Sequence, residues 1–414
     1  MTIATEWKET AVGSLASVCR GASPRPIASS RWFDTSSNVR WVRIADVNRS
    51  NGRTLQTTTQ ALSSDGIARS RYLEAGTLIM SIAATVGIPV ITGIPTCIHD
   101  GFVALENLKV DQRFLLYLLK SSEGRLRESG QSGSQMNVNT DIVKGLHVRI
   151  PVDRREQERI AAALWDIDDL ITTLERLIAK KQAIKQGMMQ QLLTGRTRLP
   201  GFSHEWVDIT LGDHVSYIKT VALSRAQLDG NSPLKYLHYG DIHTRSSVML
   251  NAASEDMPRV SKKLARGAGL LQQGDLVFAD ASEDPAGVGK SVEIVDIPDA
   301  GIVPGLHTIA ARFDKEILAD GFKAYLQFIP AFRDQLLRLA AGTKVLATTR
   351  SYISSVSLSV PEIAEQKAIA KVLFDTDREI EALRIRHAKA RNIKTGMMQQ
   401  LLTGRTRLPV EATA

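Results

Sequence analysis

Residues 156 to 200 of this 414-residue chain recur, with no insertion or deletion, as residues 365 to 409, an offset of 209. The likeness is densest at the end of the segment, where IKQGMMQQLLTGRTRLP (184–200) returns as IKTGMMQQLLTGRTRLP (393–409) with only Gln186 and Thr395 different. An internal repeat dictates architecture before any single residue does. Within this one, apolar residues recur at three-four spacing: Ile160, Leu164, Ile167, Ile171, Leu174, Ile178, Met188 and Leu192, answered by Ile369, Leu373, Ile380, Leu383, Met397 and Leu401. That period predicts a helix in each copy. Pro151 and Pro361 mark the entrances, and Gly195 and Gly404 follow the last apolar position, where a helix C-terminus favours glycine. About 38 helical residues would span roughly 57 Å. A stripe of this kind can pack on its own domain or pair with a second helix. Because it is doubled and outruns a small domain, pairing of the two copies as a coiled coil is the better account. Lys181, Lys185 and His387 interrupt the seam.

Upstream of the helices the likeness thins but persists. LHVRIP ends at Pro151 as VSLSVP ends at Pro361, and EWKETAVGSL (6–15) answers EWVDITLGDH (205–214). The chain is therefore two copies of one unit, each with a part that has drifted and a part that has been held. The boundaries are 1–151 for the first variable domain, 152–200 for the first helical region, 201–361 for the second variable domain and 362–414 for the second helical region. The variable parts read as mixed α/β. Strand-like runs lie at 39–47, 76–91 and 274–280, and amphipathic helices at 114–129 and 321–340, the latter interrupted by Pro330. The fold class is α+β with an internal pseudo-twofold repeat.

Enzyme motifs are missing from this pattern. Gly289, Lys290 and Ser291 mimic the end of a phosphate-binding loop, but such a loop needs glycine where Asp284 stands and a helix afterwards, whereas Val292, Ile294, Val295 and Ile297 alternate like a strand. His238 and His243 have no second cluster to complete a metal site, and Cys19 and Cys97 form no CxxC. There is no GxSxG, no HExxH and no Asn/Asp-Pro-Pro-aromatic tetrad of an amino-methyltransferase. The net charge of +8 favours a polyanionic partner. It is uneven: residues 1–150 carry 17 Lys and Arg against 12 Asp and Glu, while 201–361 carry 16 against 18. Contacts with nucleic acid in the second domain must then rest on local clusters such as RVSKKLARG (259–267). The start MTIATEWKET shows no basic-then-apolar leader, which predicts a cytoplasmic protein.

With GMMQQLLTGRTRLP closing both helices, Glu-Gln near both helix starts, and HYGDI (238–242), GLHTI (305–309) and GSQMNVN (133–139) as local marks, the chain resembles the specificity subunit of a type I restriction-modification system over essentially its whole length. That resemblance implies two target-recognition domains held by two antiparallel helices, each domain reading one half of a split asymmetric site on double-stranded DNA. It implies a non-catalytic subunit that docks two methyltransferase subunits and, through them, restriction motor-nuclease subunits. S-adenosylmethionine, ATP and Mg would belong to those partners, with no cofactor or metal on this chain. Base readout favours Arg, Lys, Asn, Gln, hydroxyls and rings on loops. Arg43, Asn48, Ser134, Gln135, Asn137 and Asn139 are the candidates in the first domain, and His238, Tyr239, His243, Lys290, Thr343 and Lys344 in the second. The alternatives are a stand-alone DNA enzyme and a coiled-coil scaffold with no DNA role.

Overall fold

The computed structural model describes residues 6–129, 138–340 and 345–409. The chain divides into two compact units, one of Met1–Arg176 together with Ile385–Ala414 and the other of Leu177–Arg384. Both dividing points fall inside long helices, α1 (Arg154–Leu192) and α2 (Ile363–Leu401), each of 39 residues. Each unit thus holds one variable domain, half of one helix and half of the other. Among the described residues no helix is long and apolar enough to cross a membrane.

In the first unit a five-stranded sheet runs in the order Ser17–Arg20, Phe102–Glu106, Leu78–Ser81, Pro89–Thr92, Thr54–Leu55. A four-stranded sheet beside it takes Gln60–Ala61, Arg40–Val42, Thr96–Ile98 and Arg71–Leu73. The second unit repeats the larger sheet with Val215–Ile218, Thr308–Phe313, Leu276–Ala279, Ser291–Asp296 and Met249–Asn251. In both units the last strand of the larger sheet joins in parallel. The central strands read as near-continuous apolar runs, LIMS and LVFA, because both of their faces are buried.

Two expectations need correction. The run 39–47 is not one strand: Arg40–Val42 is extended, and Ile44–Arg49 is a short helix. The Asp46 carboxylate accepts the backbone N–H of Arg43 at 3.0 Å, a helix-start bond that strand propensity alone does not reveal. The run 76–91 is two strands, Leu78–Ser81 and Pro89–Thr92, separated by Gly87 at φ +84°. Pro330 does interrupt its helix, standing at the first position of Pro330–Leu339 after a tighter 3₁₀ segment, Lys323–Phe328.

Within each unit the helix halves run antiparallel. In the first, Asp168 meets Lys394 at 2.7 Å and Glu175 meets His387 at 3.0 Å. In the second, Lys181 meets Glu379 and Lys185 meets Asp377, each at 2.5 Å. The polar residues that interrupt the seam are therefore partnered across it, Lys181 and Lys185 in ion pairs and His387 in a hydrogen-bonding contact. Ile160, Leu164, Leu174, Ile369, Leu373 and Ile380 are buried beside them, while Ile167, Ile171, Ile178 and Leu383 are half-buried. Each domain adds a phenol to its ladder: Tyr117 donates to Asp168 at 2.7 Å and Tyr325 to Asp377 at 3.1 Å.

The repeated letters at the helix ends close each unit. Arg198 forks onto Glu365 at 2.6 and 2.5 Å, and Arg407 reaches Glu156 at 3.6 Å. The preceding glycines, Gly195 at φ +68° and Gly404 at φ +71°, bring the backbone against Trp206 and Trp7. Here a left-handed turn and a close approach both exclude a side chain: a Cβ on Gly404 would lie 2.9 Å from the Trp7 ring. The Gln of each Glu-Gln pair ties its helix to the domain, Gln157 accepting from Asp111 N–H and Gln366 from Ala319 N–H, both at 2.9 Å.

Candidate nucleic-acid interface

Two short helices occupy equivalent places in the two domains. Strand Arg40–Val42 leads through Arg43 into Ile44–Arg49, and strand Leu234–Leu237 leads through His238 into Tyr239–His243. In each case an aspartate three residues on, Asp46 or Asp241, accepts the N–H of the residue at the helix start at 3.0 Å. Each entering strand lies parallel to a later one, Thr96–Ile98 or Ile302–Pro304. The frame is shared, but the side chain it presents is arginine in one domain and histidine in the other.

Arg43 is exposed and donates to Gln60 Oε1 at 2.8 Å. It lines a pocket of about 400 Å³ with Arg25, Trp41, His99 and Asp100. His99 packs 4.9 Å from Phe102 and 5.9 Å from Trp41, ring centre to ring centre. Burial lowers its imidazole pKa, with Arg43 pushing the same way against Asp100, so the ring accepts Gly101 N–H at Nδ1. Asn48 is exposed on the same short helix, 3.5 Å from Thr85 Oγ1. Asn139 stands at another helix start, its side-chain oxygen accepting Ile142 N–H at 2.8 Å. Ser134, Gln135 and Asn137 lie outside the described residues, as do Thr343 and Lys344.

The remaining second-domain candidates come together. His238 is nearly buried, accepts Gly240 N–H at Nδ1 and lies with its ring centre 4.4 Å from that of Tyr239, the ring planes tilted by 41°. Burial, then the Arg225 charge, hold its imidazole below the usual range. Tyr239 is exposed and meets His243 and His307 edge-on. His243 Nε2 lies 2.7 Å from the Ala281 carbonyl and therefore carries the proton, while its own carbonyl accepts from Lys290 Nζ at 2.5 Å. Burial lowers the ammonium of Lys290. Among the described residues no group of three or more His, Cys, Asp or Glu is placed to hold a metal ion.

Comparison with known proteins shows what this chain is similar to. The model of the type I restriction modification DNA specificity domain matches residues 5–186. The chain is similar to the type I restriction enzyme MjaVIII specificity subunit of Methanocaldococcus jannaschii, 26% identical over 324 residues, covering 73% of this chain and 72% of that protein. It is also similar to the putative MjaX specificity subunit of the same organism, 25% identical over 317 residues, covering 72% of this chain and 69% of that one. The chain is thus similar to type I restriction-modification specificity subunits. In fold it resembles the S subunit crystal structure from M. genitalium, with a TM-score of 0.63, 13% identity and 97% of each chain covered. A structure titled for complex assembly and conformational transition of the type I system gives 0.56 at 14% identity, covering 97% of this chain and 98% of that one.

In this chain several residues join the candidate faces that single-residue reasoning passed over. Arg25, Trp41 and His99 share the Arg43 pocket, and Arg245, Ser291 and Arg333 share one with His243 and Lys290. Trp41, in WVRIAD, carried a signal, since it stands where Tyr236 precedes HYGD. Arg333 carried none, because it lies on a helix that reads as ordinary and amphipathic.

Proposed function

We propose that the two variable domains each read one half of a split, asymmetric DNA site, and that the held helices set the spacing between the halves. The observation that carries this reading is the shared helix-start frame bearing unlike side chains, Arg43 and Asn48 in one domain and His238, Tyr239 and His243 in the other. Phosphate contacts position a protein on DNA and base-edge contacts specify the sequence, so a constant frame with different tips suits two different half-sites. The division at 151, 200 and 361 is then functional as well as historical: drifting parts read, held parts measure and dock. The corresponding closures Arg198–Glu365 and Arg407–Glu156, at helix ends of near-identical sequence, offer like surfaces to two like partners, which supports docking of two methyltransferase subunits and, through them, the restriction subunits. The chain itself is a non-catalytic, cytoplasmic subunit, and S-adenosylmethionine, ATP and Mg act on its partners. Purified chain, alone and with its methyltransferase subunits, incubated with duplex DNA and labelled S-adenosylmethionine is the test. Label transfer only in the mixture is expected; transfer or cutting by the chain alone would overturn the subunit's non-catalytic role.

A further inference from the structure

The sequence motif Gly289-Lys290-Ser291 leads into strand Ser291–Asp296 and so is no nucleotide loop, yet its Lys290 and Ser291 line a pocket of about 430 Å³ in the second domain. Arg245 and Arg333 face the same pocket, with Asp284 as the opposing carboxylate. Arg245 is already matched by Glu255, but its Nε is buried without a partner. Lys290 uses one of its three donors on the His243 carbonyl. Ser291, also on the pocket wall, is 2% exposed and its hydroxyl has no hydrogen-bond partner. Buried polar groups are normally paired, so an unpaired hydroxyl and an unpaired guanidinium N–H at the wall of a cationic pocket call for an acceptor from outside.

We infer that this pocket holds a phosphate group of the duplex backbone, with Lys290, Arg333 and the Ser291 hydroxyl as donors, and that it anchors the second domain without reading a base. The inference rests on the DNA-reading role proposed above and assigns one part of it. An oxyanion with several acceptor oxygens suits donors converging from a lysine, an arginine and a hydroxyl. The duplex is favoured over free phosphate because His243, on the pocket wall, also meets the exposed ring of Tyr239. The second domain carries 16 Lys and Arg against 18 Asp and Glu over 201–361, so an anchor on a polyanion has to be local. At the matching strand of the first domain, Gly87, Ile88 and Pro89 stand where Gly289, Lys290 and Ser291 do, so the lysine and hydroxyl of this site belong to the second domain alone.

The test uses the full chain with its methyltransferase subunits, a duplex bearing the selected site and a duplex lacking it, over a range of salt concentrations. Lys290→Gln and Arg333→Gln should each weaken both complexes by about tenfold, since a lost charged hydrogen bond has that size. Each should also reduce the slope of log affinity against log salt by about 0.9 and leave the selected sequence unchanged. Lys290→Arg should restore binding, which separates an anchor from a folding defect. An unchanged slope in the glutamine variants, with the wild-type motif intact, overturns the anchor but not the DNA-reading role. A changed motif makes these residues base readers and overturns it too. Inorganic phosphate binding that depends on Lys290 while duplex affinity does not would assign the pocket to free phosphate instead. A wild-type complex that retains no duplex overturns both proposals.

Discussion

Glu365 is fully buried at the start of α2, and its partner Arg198 lies 167 positions earlier in the chain. Removing the carboxylate charge leaves a guanidinium aimed at a neutral amide, so Glu365→Gln should lower stability by about 2 kcal/mol, read as a fall in Tm. A second buried acid behaves differently. Glu293 accepts Gly321 N–H at 2.6 Å and Ala324 N–H at 2.9 Å and sits near Lys323 and Asp320, yet burial dominates and pushes its carboxyl up to about 7. A folded-state pKa above the unfolded 4.5 means stability fully present below about pH 4.5 and lost as pH rises through 7. Glu293→Gln should remove that fall, so the Tm difference between wild type and variant should shift against wild type between pH 5 and 7.5. The letters of the Glu-Gln pairs and of TGRTRLP were legible as a repeat. Their bonding was not, because sequence periodicity carries no information about a partner on another helix, and Gln366 is recognised as a brace only once Ala319 N–H is beside it.

At the scale of elements, both helices were legible over their full length because their apolar spacing is long and doubled, and each spans 39 residues as α1 and α2. The character of the seam was not. Lys185 breaks an apolar stripe when one helix is read alone, but Asp377 and the Tyr325 hydroxyl complete it. Charge reversal by Lys185→Glu should cost about 2 kcal/mol by placing two carboxylates together, and adding Asp377→Lys should recover most of it; a double-mutant cycle in thermal unfolding measures the coupling. The short helices at Ile44–Arg49 and Tyr239–His243 escaped pattern reading for another reason. A stretch of five or six residues shows too little of a 3.6-residue period, and the deciding signal is one aspartate, Asp46 or Asp241, three residues past the turn.

For the whole molecule, duplication with divergence is the property that ties structure to function. Two units share a sheet order, a Tyr–Asp–Lys contact and an Arg–Glu closure, and differ in the side chains on the short helices. The candidate site was legible in part: His238, Tyr239, His243 and Lys290 gather on one face, while Asn139 serves a helix start. Arg333 and Ser291 became visible only when folding brought distant segments to one pocket. The central claim is that one chain reads two unlike half-sites at a set distance. Its most direct measurement is selection of random-sequence duplex DNA by the chain with its methyltransferase subunits, followed by sequencing of the retained pool. The account predicts two unlike short motifs separated by a spacer of constant length and free sequence, with Arg43 variants altering only one motif and His238 or His243 variants only the other. A single continuous motif, a spacer of varying length, or an unenriched pool would contradict it.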